Sequence, residues 1–198
     1  MAAEDDSDYD SDDNCTLGEI LRREKAALRV RMEVQTPLKE HQRAVLTQIR
    51  AVARDKQGFL VAHGMGLGKT LTAIAWASTR REHGAILVLA KAVLIRSVWP
   101  EQLTQHLPGA RIFTVQRGSL EPAELQAAAL SHDIILCSTT KVPRLCQRHP
   151  RIFRGFKTVI MDEVHNGLKN TTTKLHAAMR AAFCADAFRL GLSGTPNT

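Results

Sequence analysis

Six apolar runs of strand length, separated by segments with helical spacing, constrain the fold more than any other feature of the sequence. The runs are residues 59–61, 85–90, 111–116, 133–138, 157–162 and 188–193. Apolar residues predominate on both faces of these runs, which is typical of strands buried on both faces. Strands that alternate with helices pair in parallel, because a parallel connection needs a crossover. The sequence therefore predicts an α/β fold, a parallel sheet with helices on both faces, in which even the first run is a buried strand.

Helical spacing predicts where the crossovers lie. The segment before the first run should be a helix with Thr36 as N-cap and Pro37 as its first residue, continuing until Gly58 stops it. Its apolar face would comprise Leu38, His41, Val45, Ile49 and Val52. The other predicted helices are about 16–30, 70–83, 93–106, 122–130, 140–147 and 170–183.

A glycine-rich loop, AHGMGLGKT (62–70), joins the first run to the next helix. Strand, glycines, Lys-Thr and helix follow in the order of a phosphate-binding loop, although His63 occupies the place of the first glycine of that motif. Lys69 would reach the β- and γ-phosphates, and the Thr70 hydroxyl would bind Mg²⁺. The residues predicted to bind the nucleotide are His63, Gly64, Met65, Gly66, Leu67, Gly68, Lys69 and Thr70. The alternative is a plain glycine-rich turn.

Two adjacent carboxylates, Asp162 and Glu163, end the fifth run, and His165 follows them. Ligands of parallel sheets bind at the carboxyl ends of strands, where the loop, Asp162 and Ser193 should all lie. Asp162 could hold the Mg²⁺ shared with Thr70, while Glu163 could polarise the water that attacks the γ-phosphate. The alternative is a solvated Asp-Glu turn.

Charge is divided unevenly along the chain. Residues 1–19 contain eight acids and no Lys or Arg, so the rest of the chain has 27 basic and 12 acidic side chains, a net charge of +15. A body this basic favours a polyanionic partner such as nucleic acid, the alternative being a generally basic surface. Residues 1–15 are predicted to be disordered. The acids around Ser7 and Ser11 suggest phosphorylation there, but a plain solubilising tail is the favoured interpretation.

These patterns predict three parts: a disordered acidic tail (1–15), a basic helical extension (16–35) and one lobe (36–198). The four cysteines show no metal-ligand spacing, so they are expected to be reduced packing thiols. No apolar run approaches the ~20 residues that span a bilayer, and the N-terminus lacks the basic start of a secretory signal. A soluble, intracellular protein is expected.

Residues 36–198 resemble the first RecA-like lobe of a superfamily-two helicase, specifically the Swi/Snf-like DNA-translocating ATPases. The segments that carry the resemblance are LKEHQ (38–42), AHGMGLGKT (62–70), AILVLAKAVLIRSVW (85–99), ILCSTT (135–140), IMDEVHNGLKN (160–170) and LGLSGTP (190–196). The Ala62-His63 pair is similar to the subfamily of the alpha-thalassaemia/X-linked remodeller.

The resemblance implies an ATP hydrolase that uses ATP and Mg²⁺, acts on double-stranded DNA or chromatin and works in the nucleus. It implies that Gln42 reads the adenine edge, that Asp162 is the metal ligand and that Glu163 is the catalytic base. Residues that would couple the nucleotide state to DNA are His165, Ser193, Gly194 and Thr195. Segments 91–99 and 138–141 would face the DNA backbone.

Departures from the family pattern lie mainly on the DNA side. Lys91-Ala92 replaces a usual Cys-Pro, Lys141 replaces a common Tyr, and Asn166-Gly167 adds one residue to the carboxylate box. The second lobe and its arginine fingers are absent, so a truncated product, or half of a split enzyme that needs a second-lobe partner, is expected. The alternatives are a non-hydrolysing ATP- and DNA-binding module, an RNA helicase lobe and, more remotely, a small-molecule kinase.

Overall fold

The computed structural model describes residues 23, 24, 26, 27, 32–116, 121–148, 150–165, 172–183 and 185–194. Six strands form one sheet in the order β1-β6-β5-β2-β4-β3, and every pairing is parallel. The strands are β1 Gly58–Ala62, β2 Ile86–Ala90, β3 Ile112–Thr114, β4 Ile134–Ser138, β5 Thr158–Met161 and β6 Phe188–Ser193. The predicted parallel α/β sheet is confirmed.

Eight helices of the described chain cover the two faces of this sheet. They are α1 Glu40–Val52, α2 Lys69–Ser78, α3 Ala92–Arg96, α4 Val98–His106, α5 Pro122–Ser131, α6 Val142–Arg148, α7 Pro150–Gly155 and α8 Lys174–Ala182. Helices α1–α4 share one apolar core and α5–α8 share the other. Strand β2 supplies both cores, because Val88 faces the first and Leu87 and Leu89 face the second.

Strand β1 contradicts the prediction that it is buried. Among the described strands it lies at the edge, paired with β6 alone, and only Val61 is fully buried. Leu60 is 49% exposed and opens onto a groove of about 900 Å³ that Met179 and Phe183 of the α8 region also line. The apolar run was therefore misinterpreted, because one face of β1 is left uncovered by the described helices.

The predicted start of the first helix was also wrong. Helix α1 begins at Glu40, not at Pro37. The Thr36 hydroxyl contacts Nδ1 of His106 at 2.6 Å, and the Gln35 N–H donates to the His106 carbonyl. The residue predicted to cap the helix thus lies before it, where its hydroxyl contacts α4. The helix ends at Val52, six residues before Gly58.

Other boundaries moved by a few residues. The helix predicted over 93–106 is divided at Ser97 into α3 and α4. Helix α7, absent from the sequence prediction, begins at Pro150 and buries Phe153 against Phe183. The last helix begins only after Thr173, whose hydroxyl accepts the His176 N–H at 3.2 Å.

Several sequence predictions fall wholly or largely outside the described residues, including the tail 1–15, most of the extension 16–35, Cys15 and Cys184. In the extension, Arg23, Glu24, Ala26 and Ala27 are helical. Cys137 and Cys146 are free and buried, and burial raises the pKa of each thiol to about 12, as expected of packing thiols. The described part of the chain contains no helix that is both long and apolar enough to cross a bilayer.

Candidate nucleotide-binding site

The carboxyl ends of three strands bring the predicted site together. The glycine-rich loop follows β1, Asp162 follows β5, and Ser193 ends β6. Strand β6 pairs with both β1 and β5, so the carboxyl ends of the three strands are neighbours. We call this side of the sheet, where the strands end, the carboxyl edge. The residues predicted from two distant motifs therefore share one site.

The shape of the loop depends on two glycines in the left-handed region. Gly66 has φ +78° and Gly68, the N-cap of α2, has φ +71°. A Cβ at Gly68 would also collide with the amide nitrogen of Gln42. Gly64 is different, because its φ is not positive and a Cβ there would meet nothing closer than Leu67 Cδ1 at 3.8 Å. Only the second half of the loop is thus restricted to glycine.

Lys69 is directed into the loop. Its Nζ donates to the carbonyls of His63 at 2.9 Å and Gly64 at 3.0 Å. A Cβ added at Gly194 would lie 3.6 Å from this Nζ, so the end of β6 approaches the lysine closely. The ammonium group is therefore placed inside the curve of the backbone, where a phosphate-binding lysine acts.

Helix α1 ties the loop to the body through two adjacent side chains. The Gln42 amide group donates to the Gly68 carbonyl at 3.2 Å and accepts from the Lys39 N–H at 2.9 Å. The neighbouring His41 contacts the Leu67 carbonyl through Nε2 at 3.1 Å. Gln42 is 3% exposed, so in this structure its amide holds the loop.

Asp162 is supported by a tryptophan from the first helical layer. The indole N–H of Trp99, which is fully buried on α4, donates to Asp162 Oδ2 at 3.0 Å. Burial raises the pKa of the Asp162 carboxyl. The Trp99 hydrogen bond lowers that pKa, adjacent Glu163 raises it, and a backbone hydrogen bond and Lys69 lower it. The carboxylate is thus held in a partly desolvated position that a nearby cation would stabilise.

Glu163 is the one described residue other than glycine with a positive φ, at +53°. Its Oε2 lies 3.3 Å from Nδ1 of His165, and the same ring nitrogen lies 3.0 Å from the Ser193 hydroxyl. Backbone strain of this kind is retained where the surroundings impose it. His165 therefore links the second carboxylate to the end of β6.

The oxygen donors at this edge fit Mg²⁺. Thr70 offers a hydroxyl at the start of α2 and Asp162 a carboxylate at the end of β5. Among the described residues no group of three His, Cys, Asp or Glu could form a metal cage. Mg²⁺ typically takes one or two protein oxygens and completes its shell with phosphates and water, so a small donor set is suitable.

The segments expected to face DNA lie beside the carboxylates. A cavity of about 380 Å³ is lined by Lys91, Thr139 and Thr140 together with Asp162 and Glu163. Lys91 is exposed.

Lys141 is directed elsewhere. Its Nζ donates to the carbonyls of Val115 at 2.5 Å and Gln116 at 2.8 Å. These bonds tie Lys141 to the segment after β3.

The structure brings most predicted site residues together and adds two that the sequence analysis missed. Those at this edge are Gln42, His63, Gly64, Met65, Gly66, Leu67, Gly68, Lys69, Thr70, Asp162, Glu163, His165, Ser193 and Gly194, whereas Thr195 lies outside the described residues. Trp99 was missed, although a buried indole N–H usually has a partner. His41 was interpreted only as a residue of the apolar face of α1.

The chain is similar in sequence and fold to several known proteins. Residues 35–198 match the family described as type III restriction enzyme, res subunit. Over 150 residues the chain is 33% identical to the Xenopus laevis SWI/SNF-related matrix-associated actin-dependent regulator of chromatin subfamily A-like protein 1, covering 74% of this chain and 14% of that protein. The human DNA excision repair protein ERCC-6-like is 27% identical over 197 residues, covering 93% of this chain and 14% of that protein.

A solved structure, the Sulfolobus solfataricus SWI2/SNF2 ATPase core in complex with dsDNA, has a TM-score of 0.65 at 24% identity and covers 83% of this chain and 33% of that one. This likeness shows the fold. The chain thus spans about a seventh of these two relatives and a third of the solved core. With the fold of an SWI2/SNF2 ATPase core and a match over residues 35–198, the chain belongs to the family of the type III restriction enzyme res subunit, as a helicase-family domain.

Proposed function

We propose that the chain is the ATP-binding lobe of a DNA-dependent ATPase of the SWI2/SNF2 type. The observation that carries the proposal is the meeting of Lys69, Asp162 and Gly194 from three separate strand ends at one edge of the sheet. A plain glycine-rich turn would not need a carboxylate and a close backbone approach around its lysine. Binding of a Mg²⁺–nucleotide complex does use them, because the phosphates need a cation and the metal needs a carboxylate ligand.

In this proposal each residue has a separate task. Backbone N–H groups of the loop and the N-terminus of α2 hold the phosphates, and Lys69 neutralises their charge. Thr70 and Asp162 hold Mg²⁺, which when bound neutralises the β- and γ-phosphate oxygens. Glu163 accepts a proton from the attacking water.

Gln42 is assigned to the adenine end. One of its amide hydrogens is used by the Gly68 carbonyl, so contact with adenine would use the other and would require the side chain to gain exposure. His165, Ser193, Gly194 and Thr195 are assigned to coupling. The contact of His165 with both Glu163 and Ser193 supports this assignment, because a shift of β6 would change the position of the base.

Double-stranded DNA is the proposed partner. The net charge of +15 in residues 20–198 supports it, and the solved Sulfolobus core was determined with dsDNA. Lys91 and the threonines after β4 are the proposed phosphate contacts, while Lys141 is excluded from this role by its bonds to two carbonyls. Contacts to phosphates position a protein on DNA without reading its sequence.

We propose the finer placement near the alpha-thalassaemia/X-linked remodeller subfamily from the Ala62-His63 pair, together with action on chromatin in the nucleus. The SWI/SNF-related relatives support the chromatin and nuclear parts of this placement. Arginines from a second lobe would stabilise the charge that develops on the γ-phosphate. Such arginines raise the rate roughly 10³- to 10⁵-fold in related reactions. In the absence of a second lobe, turnover should therefore be slower than that of a two-lobed enzyme by a factor of this order.

The loop assignment is tested first by nucleotide binding. Lys69→Ala should lower the affinity for a fluorescent ATP analogue by at least about tenfold, because a charge-assisted hydrogen bond contributes roughly 1.5–3 kcal/mol. Lys56→Ala, at an exposed position before β1, is the control and should leave the affinity unchanged. Unchanged affinity in folded Lys69→Ala would remove the loop from the site.

Turnover is tested by phosphate release with saturating duplex DNA, with and without a separately expressed second lobe. DNA-stimulated release that Glu163→Gln abolishes supports the proposed ATPase. Tight nucleotide binding without release under every condition would instead assign the chain as a binding module. Stimulation by RNA in place of DNA would assign it as an RNA helicase lobe.

A further inference from the structure

Helices α6, α7 and α8 form one contiguous layer that contains no carboxylate. The three helices pack against one another on the second face of the sheet. No Asp or Glu occurs between Asp133 and Asp162 or anywhere in α8. Six cations project from this layer, which we call the basic layer: Arg144, Arg148, Arg151, Arg154, Lys174 and Arg180.

All six side chains are exposed. Within the described parts of the chain none of them forms an ion pair, whereas Lys157 beneath the layer pairs with Asp186 at 2.7 Å. Helix α5, which packs on α7, carries Glu124. The other face of the sheet is mixed in sign, with Glu40 on α1 and Glu101 on α4.

Five of the six cations are arginines, and this favours an acidic partner of definite geometry. A planar guanidinium can donate two parallel hydrogen bonds to one carboxylate or phosphate group. Solubility alone does not require this geometry, since lysine would serve equally well. Six like charges on three packed helices also repel one another, so an acidic ligand would lower the electrostatic free energy of the folded state.

We propose that the basic layer is a docking surface for the acidic segment of the same chain, residues 1–19. This segment contains eight Asp or Glu and no Lys or Arg, so its charge is the complement of the layer. The segment and the layer are the two most one-sided charge distributions in the sequence. The inference stands on this complementarity and is independent of ATP hydrolysis.

The acidic segment is long enough to reach the layer. Nineteen extended residues span about 65 Å, whereas a globular chain of about 200 residues has a radius of gyration of about 16 Å. A segment tethered in this way has an effective concentration on the order of millimolar, which free acidic peptides do not match. An attraction that is weak between separate molecules is therefore sufficient within one chain.

The chain carries a natural probe for this contact. Cys15 lies in the acidic segment, while Cys137 and Cys146 are buried with pKa values of about 12 and form no thiolate at neutral pH. In the 198-residue chain with Cys184→Ser, a nitroxide label can therefore be attached to Cys15. Its paramagnetic broadening of backbone amide resonances then maps where the segment lies.

We expect the broadening to concentrate on α6, α7 and α8 and to spare α1. It should decrease at least about threefold when the salt rises from 0.1 M to 1 M, because the Debye length falls from about 10 Å to about 3 Å. Arg144→Glu/Arg148→Glu should abolish it. Arg50→Glu/Arg54→Glu, an equal charge reversal at exposed positions in and just after α1, should leave it unchanged.

Three outcomes would overturn the proposal. They are broadening spread equally over both helical layers, broadening that survives the Arg144→Glu/Arg148→Glu reversal, and no broadening at low salt. Duplex DNA added to the chain with its eight acids replaced by amides provides the remaining comparison. The proposal is wrong if two results occur together: DNA shifts the α6–α8 resonances of the amide-substituted chain, and the label in the unsubstituted acidic segment does not broaden them. The layer is then a nucleic-acid surface.

Discussion

The phosphate loop and the carboxylate turn lie side by side, yet they are held in different ways. The loop is held through its main chain, with the carbonyls of Leu67 and Gly68 fixed from α1 and two others bound by Lys69. In the turn at residues 162–165 the main chain is paired to β2 and β6, while the side chains of Asp162 and His165 are oriented by Trp99 and Ser193. Trp99 is 63 residues from Asp162, and Ser193 is 28 residues from His165.

This difference determines what each half of the site tolerates. A loop whose main chain determines its shape depends on the absence of side chains at particular positions, and its own side chains are free to project outward, as the 84% exposed Met65 does. A turn whose functional side chains are oriented by other side chains depends on partners elsewhere in the fold. A side chain added at Gly66 or Gly68 should therefore distort the loop, whereas loss of the Trp99 donor should misplace the Asp162 side chain.

The largest effect is expected at Gly68. Gly68→Ala adds a Cβ at φ +71° and against the Gln42 amide, which should lower the free energy of unfolding by about 1–2 kcal/mol from the backbone alone and displace the loop. Binding of the ATP analogue should fall at least about tenfold. Gly64→Ala is the matched control, because its Cβ has room. Equal losses in the two variants would contradict the backbone account of the loop.

Trp99→Phe should have the next largest effect, and it acts on the turn. The variant keeps an aromatic ring and removes the N–H that Asp162 accepts, so Mg²⁺-dependent nucleotide binding should weaken roughly tenfold. Binding measured in EDTA should not change. Trp76→Phe is the control, because the buried Trp76 N–H has no hydrogen-bond partner in the described structure. A loss that is equal with and without Mg²⁺ would reduce Trp99 to a packing residue.

The smallest effect is expected from Asp162→Asn, measured as stability. Burial raises the folded-state pKa of Asp162, so the charged carboxylate destabilises the fold above that pKa, whereas Asn keeps an acceptor for Trp99 at no charge. The variant should melt higher at neutral pH, each 1 kcal/mol being worth roughly 2–4 °C. The gain should disappear below pH 3.8, the ordinary pKa of the carboxyl, because Asp162 is then protonated in both the folded and the unfolded wild-type protein. A gain that persists in acid would contradict this cause.

The same division explains how much the sequence could predict. Gly66, Gly68 and Lys69 were identified from local spacing, because a main-chain site is encoded by neighbouring residues. Trp99 was not identified as the partner of Asp162, since nothing near either residue in the sequence indicates which helix delivers a donor. Roles were likewise predicted for Glu163, His165 and Ser193, but the contacts that join their side chains were not.

For the fold, periodicity was sufficient for the sheet and insufficient for its edges. Strands with two neighbours, such as β2 and β5, were predicted within a residue or two. Leu60 was misplaced, because an apolar run does not show whether a helix covers it. The early start predicted at Thr36 failed for a similar reason, since its hydroxyl is engaged by His106, 70 residues away.

The position of β1 at the edge of the described sheet also has a kinetic consequence. All five residues of β2 are buried and the strand pairs with β4 and β5, whereas β1 pairs with β6 alone. Local opening that frees β1 breaks one ladder, while freeing β2 breaks two ladders and both cores. Amide hydrogen exchange should accordingly be slowest in β2 and much faster in β1. The phosphate loop would then be able to open and close on the strand that leads into it without the rest of the domain unfolding.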